Sequence, residues 1–141
     1  MTTEIFTATT DDDINACFAV FAQLRPHLLQ QDFLPQVRRQ QAQSFQIVAL
    51  RDDGIIKSAI GFREAEFLFW GKTIYLDDLA TLSDARGSGF AGQLMDWLIA
   101  RAKQTGCKSI QLDTGYARHA AHRFYLNKGF TVACHHLSLE V

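Results

Sequence analysis

The segment of the sequence best suited to bind an anion is a short run with two glycines and an arginine, Arg86-Gly87-Ser88-Gly89-Phe90-Ala91. It lies between a predicted strand and a predicted helix. There the glycines let backbone N–H groups point at a bound anion, and the helix dipole adds positive potential. Arg86 can add a charged, forked donor. The segment therefore predicts a phosphate or pyrophosphate site, although the same glycines could simply form a tight turn.

The same segment also fits the dinucleotide pattern G-x-G-x-x-G through Gly87, Gly89 and Gly92, with Asp113 after the next strand as a ribose-binding acid. The fit is loose, because four residues separate the preceding strand from the first glycine. Only 28 residues follow Asp113, and the region before the loop predicts antiparallel hairpins. These segments are too few and too antiparallel to form a doubly wound parallel sheet, so a dinucleotide site is the less favoured alternative.

Two helices are predicted at the start of the chain. The acidic residues 11–13 precede an apolar i, i+3, i+4, i+7 pattern, which predicts a capped amphipathic helix that Pro26 ends. A polar, glutamine-rich stretch at about 28–43 predicts a second helix, with a break or a fresh start at Pro35. This stretch could be either a surface helix or a lid over a substrate.

The middle of the chain predicts a mainly antiparallel sheet. Residues 45–50 and the stretch from Ile55 onward are predicted strands joined across Asp52-Asp53-Gly54. A third apolar stretch at 66–69 leads through a turn into a long central strand at 73–82.

The elements after the loop alternate between helix and strand. A helix with apolar residues at 94–102 precedes a strand at 109–113, and this order predicts a strand parallel to the central one with a right-handed crossover. A further helix is predicted at about 119–127, followed by one or two closing strands within 130–141.

The composition predicts one soluble globular domain over residues 1–141. Hydrophobic residues make up 48% and charged residues 21% of the chain, and the net charge is -1, so we expect no sequence-wide affinity for nucleic acid or for anionic membranes. No apolar run approaches the length of a membrane span, and the start of the chain lacks the features of a signal peptide, so a cytoplasmic location is expected. The three cysteines and the histidines show no familiar metal-ligand spacing, which predicts neither disulfides nor a metal site.

Two motifs together resemble one known superfamily. The loop is similar to the pattern R/Q-x-x-G-x-G/A of the GNAT (GCN5-related N-acetyltransferase) superfamily, and it follows a strand that ends in Asp-Asp-Leu-Ala-Thr, as in that family. Ala121-His122-Arg123-Phe124-Tyr125, followed by Lys128-Gly129-Phe130, resembles the family's A-x-x-F-Y-x-x-x-G-F. Many members have an asparagine where this chain has Arg118. The string from Arg118 to Tyr125 is more similar to the branch that includes aminoalkylphosphonate acetyltransferases.

The resemblance implies a fold and a co-substrate. The fold class would be α/β, a GNAT-type mixed and mostly antiparallel sheet of six to seven strands flanked by about four helices. Two parallel strands would separate at the site of acetyl-CoA, and the pantetheine arm of coenzyme A would pair with the exposed backbone as an added strand. The implied cofactor-binding residues are Leu79, Ala80, Thr81, Arg86, Gly87, Ser88, Gly89, Phe90 and Ala91, with Arg118 and His122 as further candidates. Arg118 and His122 could instead be solvated surface residues.

The resemblance also implies acetyl transfer to a primary amine by direct attack in a ternary complex. A protonated amine must first lose a proton to a carboxylate, and Asp77 and Asp78 are the candidates, with a slight preference for Asp77. Either could instead be a structural carboxylate bonded to a basic side chain. The phenol of Tyr125 would protonate the departing thiolate, or it could only pack the helix beside Phe124.

Three points stay open from the sequence. The amine could belong to a small metabolite, which we favour, or to a protein. A non-catalytic module that only binds acyl-CoA is a further alternative. The apolar stretch Phe67-Leu68-Phe69-Trp70 could be an exposed hairpin that joins two copies of the chain into a homodimer.

Overall fold

The computed structural model of the chain describes residues 2–141, which contain five strands, five α-helices and one short 3-10 helix, Ser83–Ala85. The strands are β1 (Thr3–Thr7), β2 (Phe45–Asp52), β3 (Ile55–Phe67), β4 (Gly71–Thr81) and β5 (Ser109–Leu112). The helices are α1 (Asp11–Ala16), α2 (Phe18–Leu24), α3 (Gln30–Gln41), α4 (Phe90–Gln104) and α5 (His119–Asn127). Residues up to Gln111 form one compact unit and Leu112–Val141 a second, smaller one. The single domain remains a prediction.

The first predicted helix is present but divided. The Thr10 hydroxyl caps α1 by accepting a hydrogen bond from the Asp13 backbone N–H, so the acidic residues occupy the first turn and not the cap. Cys17 interrupts the helix, which continues as α2 and ends at Leu24, just before Pro26. One predicted helix has thus become two short ones.

The second predicted helix corresponds to α3. It runs through Pro35 without a break, so the predicted interruption there was wrong. A proline inside a helix lacks the N–H that would pair one turn back. Here Phe33 and Val37, on either side of Pro35, are both buried in the core. Their packing holds the helical path that the proline alone disfavours.

The five strands form one mixed sheet in the order β1-β2-β3-β4-β5, and β1 to β4 are antiparallel to their neighbours. The predicted hairpin between β2 and β3 is confirmed, with Asp53 at φ 49° and Gly54 at φ 81° in its turn. The apolar stretch predicted at 66–69 is the end of β3 followed by a turn, and not a separate strand.

Both faces of the central strands are covered by helices. Ile47 and Ala49 of β2 lie in a buried cluster with residues of α1, α2 and α3. The apolar face of α4, consisting of Phe90, Leu94, Met95, Leu98 and Ala102, is buried as its spacing predicts. Trp97 of α4 contacts Phe62 of β3 with ring centroids 6.0 Å apart. The packed sheet therefore holds both β4 and α4 in place.

The predicted numbers of strands and helices were not matched. Residues 2–141 hold five strands, and no strand occurs in the closing segment 130–141, where one or two were expected. They also hold five α-helices where about four were expected, because Cys17 divides the first.

None of these helices is long and apolar enough to cross a membrane.

Candidate active site

A β-bulge places the two candidate carboxylates. Gly61 of β3 pairs with Asp78 of β4, whereas the next residue, Phe62, pairs with Leu76. Asp77 is therefore an extra residue on β4 without an opposite partner, which changes the alternation of side chains along the strand. The regular alternation is thus interrupted at the two aspartates, and each of them meets a different arginine.

Asp77 is held by an arginine of the neighbouring strand. Its two carboxylate oxygens accept hydrogen bonds from Nε and Nη2 of Arg63, at 3.1 and 2.5 Å. Nη1 of Arg63 also donates to Gln43. A bidentate ion pair of this kind leaves Asp77 little freedom to accept a substrate proton.

Asp78 has a different environment. Its side chain is 19% exposed, and its Oδ1 accepts a 3.0 Å hydrogen bond from Nε of Arg25, in the loop after α2. Nη2 of Arg25 donates to the backbone carbonyl of Asp77 at 3.3 Å. Burial raises the pKa of Asp78 above its ordinary value, and the Arg25 guanidinium offsets only part of that rise. A carboxylate with a raised pKa is a stronger proton acceptor, so the geometry favours Asp78 over the slightly preferred Asp77.

Asp78 lines a cavity of about 270 Å³. Its walls come from α2, α3, β2 and the α2–α3 connection, and they consist of Phe21, Arg25, His27, Leu28, Phe33, Gln36, Val37, Gln40, Phe45 and Ile47 besides Asp78. Gly61 leaves room for the Phe45 ring, which forms part of the cavity wall. A Cβ added at Gly61 would lie 2.4 Å from Cζ of Phe45. The cavity is large enough for a small organic molecule.

The loop from Arg86 to Gly89 has the geometry of an anion-binding turn. Gly87 and Gly89 adopt φ of 84° and 81°, a left-handed conformation that favours glycine. A Cβ at either position would meet no atom within 4 Å, so the space above the turn is open. Gly89 is the N-cap of α4, which has neither a side-chain cap nor an acidic residue in its first turn. No side chain of the N-cap or first turn therefore competes with an anion for the first N–H groups of α4.

The residue that follows the turn anchors it. Phe90 is buried, whereas Arg86, Gly87, Ser88 and Gly89 are exposed. The turn is fixed at one end and accessible at the other.

The end of β4 connects the cavity to this turn. Leu79, Ala80 and Thr81 pair with Ile60, Ala59 and Ser58 of β3. The Ser58 hydroxyl donates to the Ala80 carbonyl and is 2.8 Å from the Thr81 hydroxyl. The predicted opening of β4 from β5 at this level stays a prediction.

The second unit carries the remaining candidates on α5. Tyr125 is half-buried, and its ring packs against Phe124 and Phe130 with centroids 5.4 and 5.6 Å apart. Arg118 occupies the N-cap of α5 with an exposed side chain and no capping bond. Nε2 of His122 lies 2.8 Å from the Gly115 carbonyl oxygen, which fixes the orientation of the ring.

The comparison with known families decides between the alternatives for the turn. Residues 7–130 match the sequence model of the acetyltransferase (GNAT) family. The chain belongs to the GNAT acetyltransferase family. The resemblance deduced from the two motifs is thereby confirmed, and the dinucleotide alternative falls away.

Named relatives and solved structures agree with this GNAT assignment. An uncharacterised N-acetyltransferase, YhdJ of Bacillus subtilis (strain 168), is 26% identical over 126 residues, which are 88% of this chain and 89% of YhdJ. The aminoalkylphosphonate N-acetyltransferase of Salmonella typhimurium is 36% identical over 55 residues, 39% of this chain and 36% of that protein. The structure of an aminoglycoside N-acetyltransferase, AAC(6')-Iy, in complex with CoA superposes with a TM-score of 0.86 at 15% identity, covering 99% of this chain and 95% of that one.

Several wall residues of the GNAT cavity were not found from the sequence. Arg25 and Gln36 lie before Phe45, in a region with no motif to identify them. The available signal was indirect, because Phe21 and Phe33 each sit at an apolar helical position, and such a position identifies the core to which both belong but not the cavity. Only the register of the sheet shows that they enclose a space next to Asp78.

The thiols and possible metal ligands add nothing to this GNAT site. Burial raises the pKa of the Cys17 thiol to about 12, so Cys17 stays protonated and unreactive. Among residues 2–141 no group of three or more histidine, cysteine, aspartate or glutamate side chains is arranged to hold a metal ion.

Proposed function

We propose that this chain transfers an acetyl group from acetyl-CoA to the primary amine of a small metabolite, by direct attack in a ternary complex. The observation that carries the proposal is Asp78, which lines a bounded cavity on the same strand that leads into the anion-binding turn. Membership of the GNAT family supports acetyl transfer. The named relatives and the CoA complex of the aminoglycoside acetyltransferase support the co-substrate.

The residues at the turn fit the pyrophosphate of coenzyme A. The first N–H groups of α4 and the Arg86 guanidinium would bind its oxygens, since the turn offers open space and the first turn of α4 carries no acidic residue. Phe90 and Ala91 hold the start of α4 in place. Ser88 can add a hydroxyl donor.

The pantetheine arm would lie along the end of β4, where backbone groups of Leu79, Ala80 and Thr81 are its proposed partners. A backbone N–H near Leu79 would face the carbonyl oxygen of the thioester and stabilise its developing negative charge. Arg118 and His122 of α5 are proposed to contact the same cofactor.

Two side chains would move protons. Acetyl-CoA supplies the acetyl thioester when it is bound. Asp78 would accept the proton of the substrate ammonium, directly or through a water molecule, because its raised pKa improves it as an acceptor while it can still ionise. The hydroxyl of Tyr125 would donate a proton to the departing thiolate. No bond between the chain and the acetyl group is needed.

A small acceptor is favoured over a protein by the size of the cavity. At about 270 Å³, with walls from α2, α3, β2 and the α2–α3 connection, it suits one small molecule better than a folded protein surface. The non-catalytic alternative is disfavoured because the chain keeps both a desolvated carboxylate in the cavity and the Tyr125 phenol.

The proposal is tested by thiol release from acetyl-CoA in the presence of a panel of small amines and one peptide. We expect turnover with at least one small amine, and Tyr125→Phe should lower kcat by roughly 10²-fold, the usual size of a general-acid contribution. Tyr116→Phe removes the same hydroxyl from a ring that is 87% exposed, and it should retain wild-type turnover. Binding of acetyl-CoA without release of thiol for any amine would instead indicate a binding module.

A further inference from the structure

The charged groups of the cavity form a balanced pair. Of its eleven lining residues, Arg25 is the basic one with a permanent charge and Asp78 is the acidic one. His27, Gln36 and Gln40 add neutral or titratable hydrogen-bonding groups. The other six are apolar, and three of these are phenylalanines. The cavity therefore matches a molecule with an apolar part and few, well-placed polar groups.

Arg25 has donors available beyond those it uses on the protein. Its Nε binds Asp78 and its Nη2 binds the Asp77 carbonyl, which accounts for two of the five N–H bonds of a guanidinium. Its side chain is 44% exposed, whereas that of Asp78 is 19% exposed. Arg25 thus lies nearer to solvent than the carboxylate that it holds, at a position that an entering molecule can reach.

A simple ammonium ion would be poorly matched to this pair. It would have to approach Asp78 against the positive charge of Arg25, a few ångströms away in a partly desolvated space. A molecule that carries an amine and an anionic group would keep the charge balance. Its amine would approach Asp78 and its anion would take the remaining donors of Arg25, in the forked geometry that guanidinium groups favour.

We infer that the acceptor is a small zwitterion, whose carboxylate or phosphonate is bound by Arg25 while its amine faces Asp78 and its apolar part packs on Phe21, Phe33 and Phe45. The inference rests on the proposed acetyl transfer and narrows its substrate class. It also gives Arg25 a second effect. An anion that shares the guanidinium weakens the hold of Arg25 on Asp78, which leaves this carboxylate freer to accept the proton of the amine.

The test compares amines in matched pairs that differ only in the anion. Phenylalanine is compared with phenethylamine, and 2-aminoethylphosphonate with ethylamine, by kcat/KM at saturating acetyl-CoA. We expect wild type to favour at least one zwitterion over its partner by more than tenfold. The first pair tests a carboxylate together with an apolar side chain, and the second tests a phosphonate without one.

Three variants identify the origin of the preference. Arg25→Gln should lower kcat/KM for the zwitterion by roughly 10- to 100-fold, the range for a lost hydrogen bond to a charged group. The same substitution should change kcat/KM for the simple amine much less, so the ratio of kcat/KM between the two molecules should fall towards one. Arg25→Lys should restore part of the ratio. Arg39→Gln makes the same chemical change at an exposed position of α3 and should leave the ratio as in wild type.

The decisive measurement is the ratio of kcat/KM between the zwitterion and its matched simple amine. If Arg25 had a purely structural role, its replacement would lower kcat/KM for both members of a pair equally. That result, or equal use of both members by wild type, overturns the inference and leaves acetyl transfer standing. Failure of every amine to release thiol overturns acetyl transfer itself, and the inference with it. Circular dichroism melting curves of each variant confirm that the fold is retained.

Discussion

The two neighbouring aspartates have different partners although they are one residue apart. Asp77 and Asp78 are identical side chains one residue apart, yet Arg63 holds the first on both oxygens while the second lines the cavity. A bulge opposite Gly61 and Phe62 lies at this point of β4. The proposed role of Asp78 as the base therefore rests on its surroundings and not on its residue type.

Replacing each aspartate with asparagine should separate the two roles. Asp78→Asn removes the proton acceptor, and we expect kcat/KM to fall by roughly 10²- to 10⁴-fold. Asp77→Asn leaves the Arg63 guanidinium without its charged partner, so it should lower the free energy of unfolding by about 1–3 kcal/mol with little effect on turnover. Thiol release and thermal melting measure the two effects. A larger loss of turnover in Asp77→Asn than in Asp78→Asn would reverse the assignment.

The pH profile gives an independent check on Asp78. Because burial raises its pKa, the carboxylate is ionised only above a pH higher than an ordinary aspartate requires. A base must be ionised to act, so kcat/KM of wild type should fall as the pH drops through that raised pKa. Asp78→Asn should lack this acidic limb in its residual activity. A wild-type profile without such a limb would argue against Asp78 as the base.

At the scale of residues, the sequence identified the pair of carboxylates but could not choose between them. Side chains alternate along a regular strand, and the alternation alone sends Asp77 and Asp78 to opposite faces without saying which face holds the cavity. That choice depends on Gly61 and Phe62, which lie 15 or more residues away in the chain. Arg25 is more distant still, and no local pattern marks it as a partner of Asp78.

The element that matters most for cofactor binding is the start of α4. Its N-cap is a glycine in a left-handed conformation, and its first turn carries no acidic residue, in contrast to α1. A helix that starts in this way leaves its N–H groups and its dipole for a ligand. The stability that a side-chain cap would have provided is forgone at this end.

A pair of glycine substitutions at opposite ends of α4 tests this element. Gly89→Ala forces an alanine into a left-handed conformation, which costs about 1–2 kcal/mol, and should weaken coenzyme A binding by roughly tenfold as the turn relaxes. Gly106→Ala makes the same change just past the helix end, where φ is 73° and nothing lies within 4 Å of the added Cβ. We expect a similar loss of stability there with unchanged affinity. Calorimetry and melting curves measure both, and equal affinities in the two variants would contradict the cofactor site.

At the scale of elements, the apolar pattern located most of the helices and strands. The strands β2 and β4 and the helices α4 and α5 lie close to where the apolar pattern placed them. The sequence pattern did not predict the unbroken course of α3, where the packing of Phe33 and Val37 outweighs the effect of Pro35. It also wrongly predicted one or two strands within residues 130–141. That segment has the residue types of a strand, but a strand exists only where a neighbour supplies hydrogen bonds, and sequence alone does not show whether one is present.

At the scale of the whole molecule, the turn between β3 and β4 is an unusual surface feature. Leu68 and Phe69 are 110% and 91% exposed, and Phe67 is 40% exposed, with Trp70 packed beside both phenylalanine rings. Four large apolar side chains in succession are seldom left in water without a function. They are the basis of the predicted homodimer.

We predict that this turn, residues 67–70, joins two copies of the chain weakly. Buried aromatic side chains contribute about 150–250 Å² each, so the two turns together reach only the lower range of specific interfaces. Light scattering coupled to a sizing column should therefore show a dimer at high protein concentration that dissociates on dilution. The double variant Leu68→Ser, Phe69→Ser should be a monomer throughout, whereas Ile55→Ser, at a 56% exposed apolar position on the opposite hairpin, should behave as wild type. A wild-type protein that stays monomeric at the highest concentration, or equal dissociation in both variants, would exclude this turn as the contact.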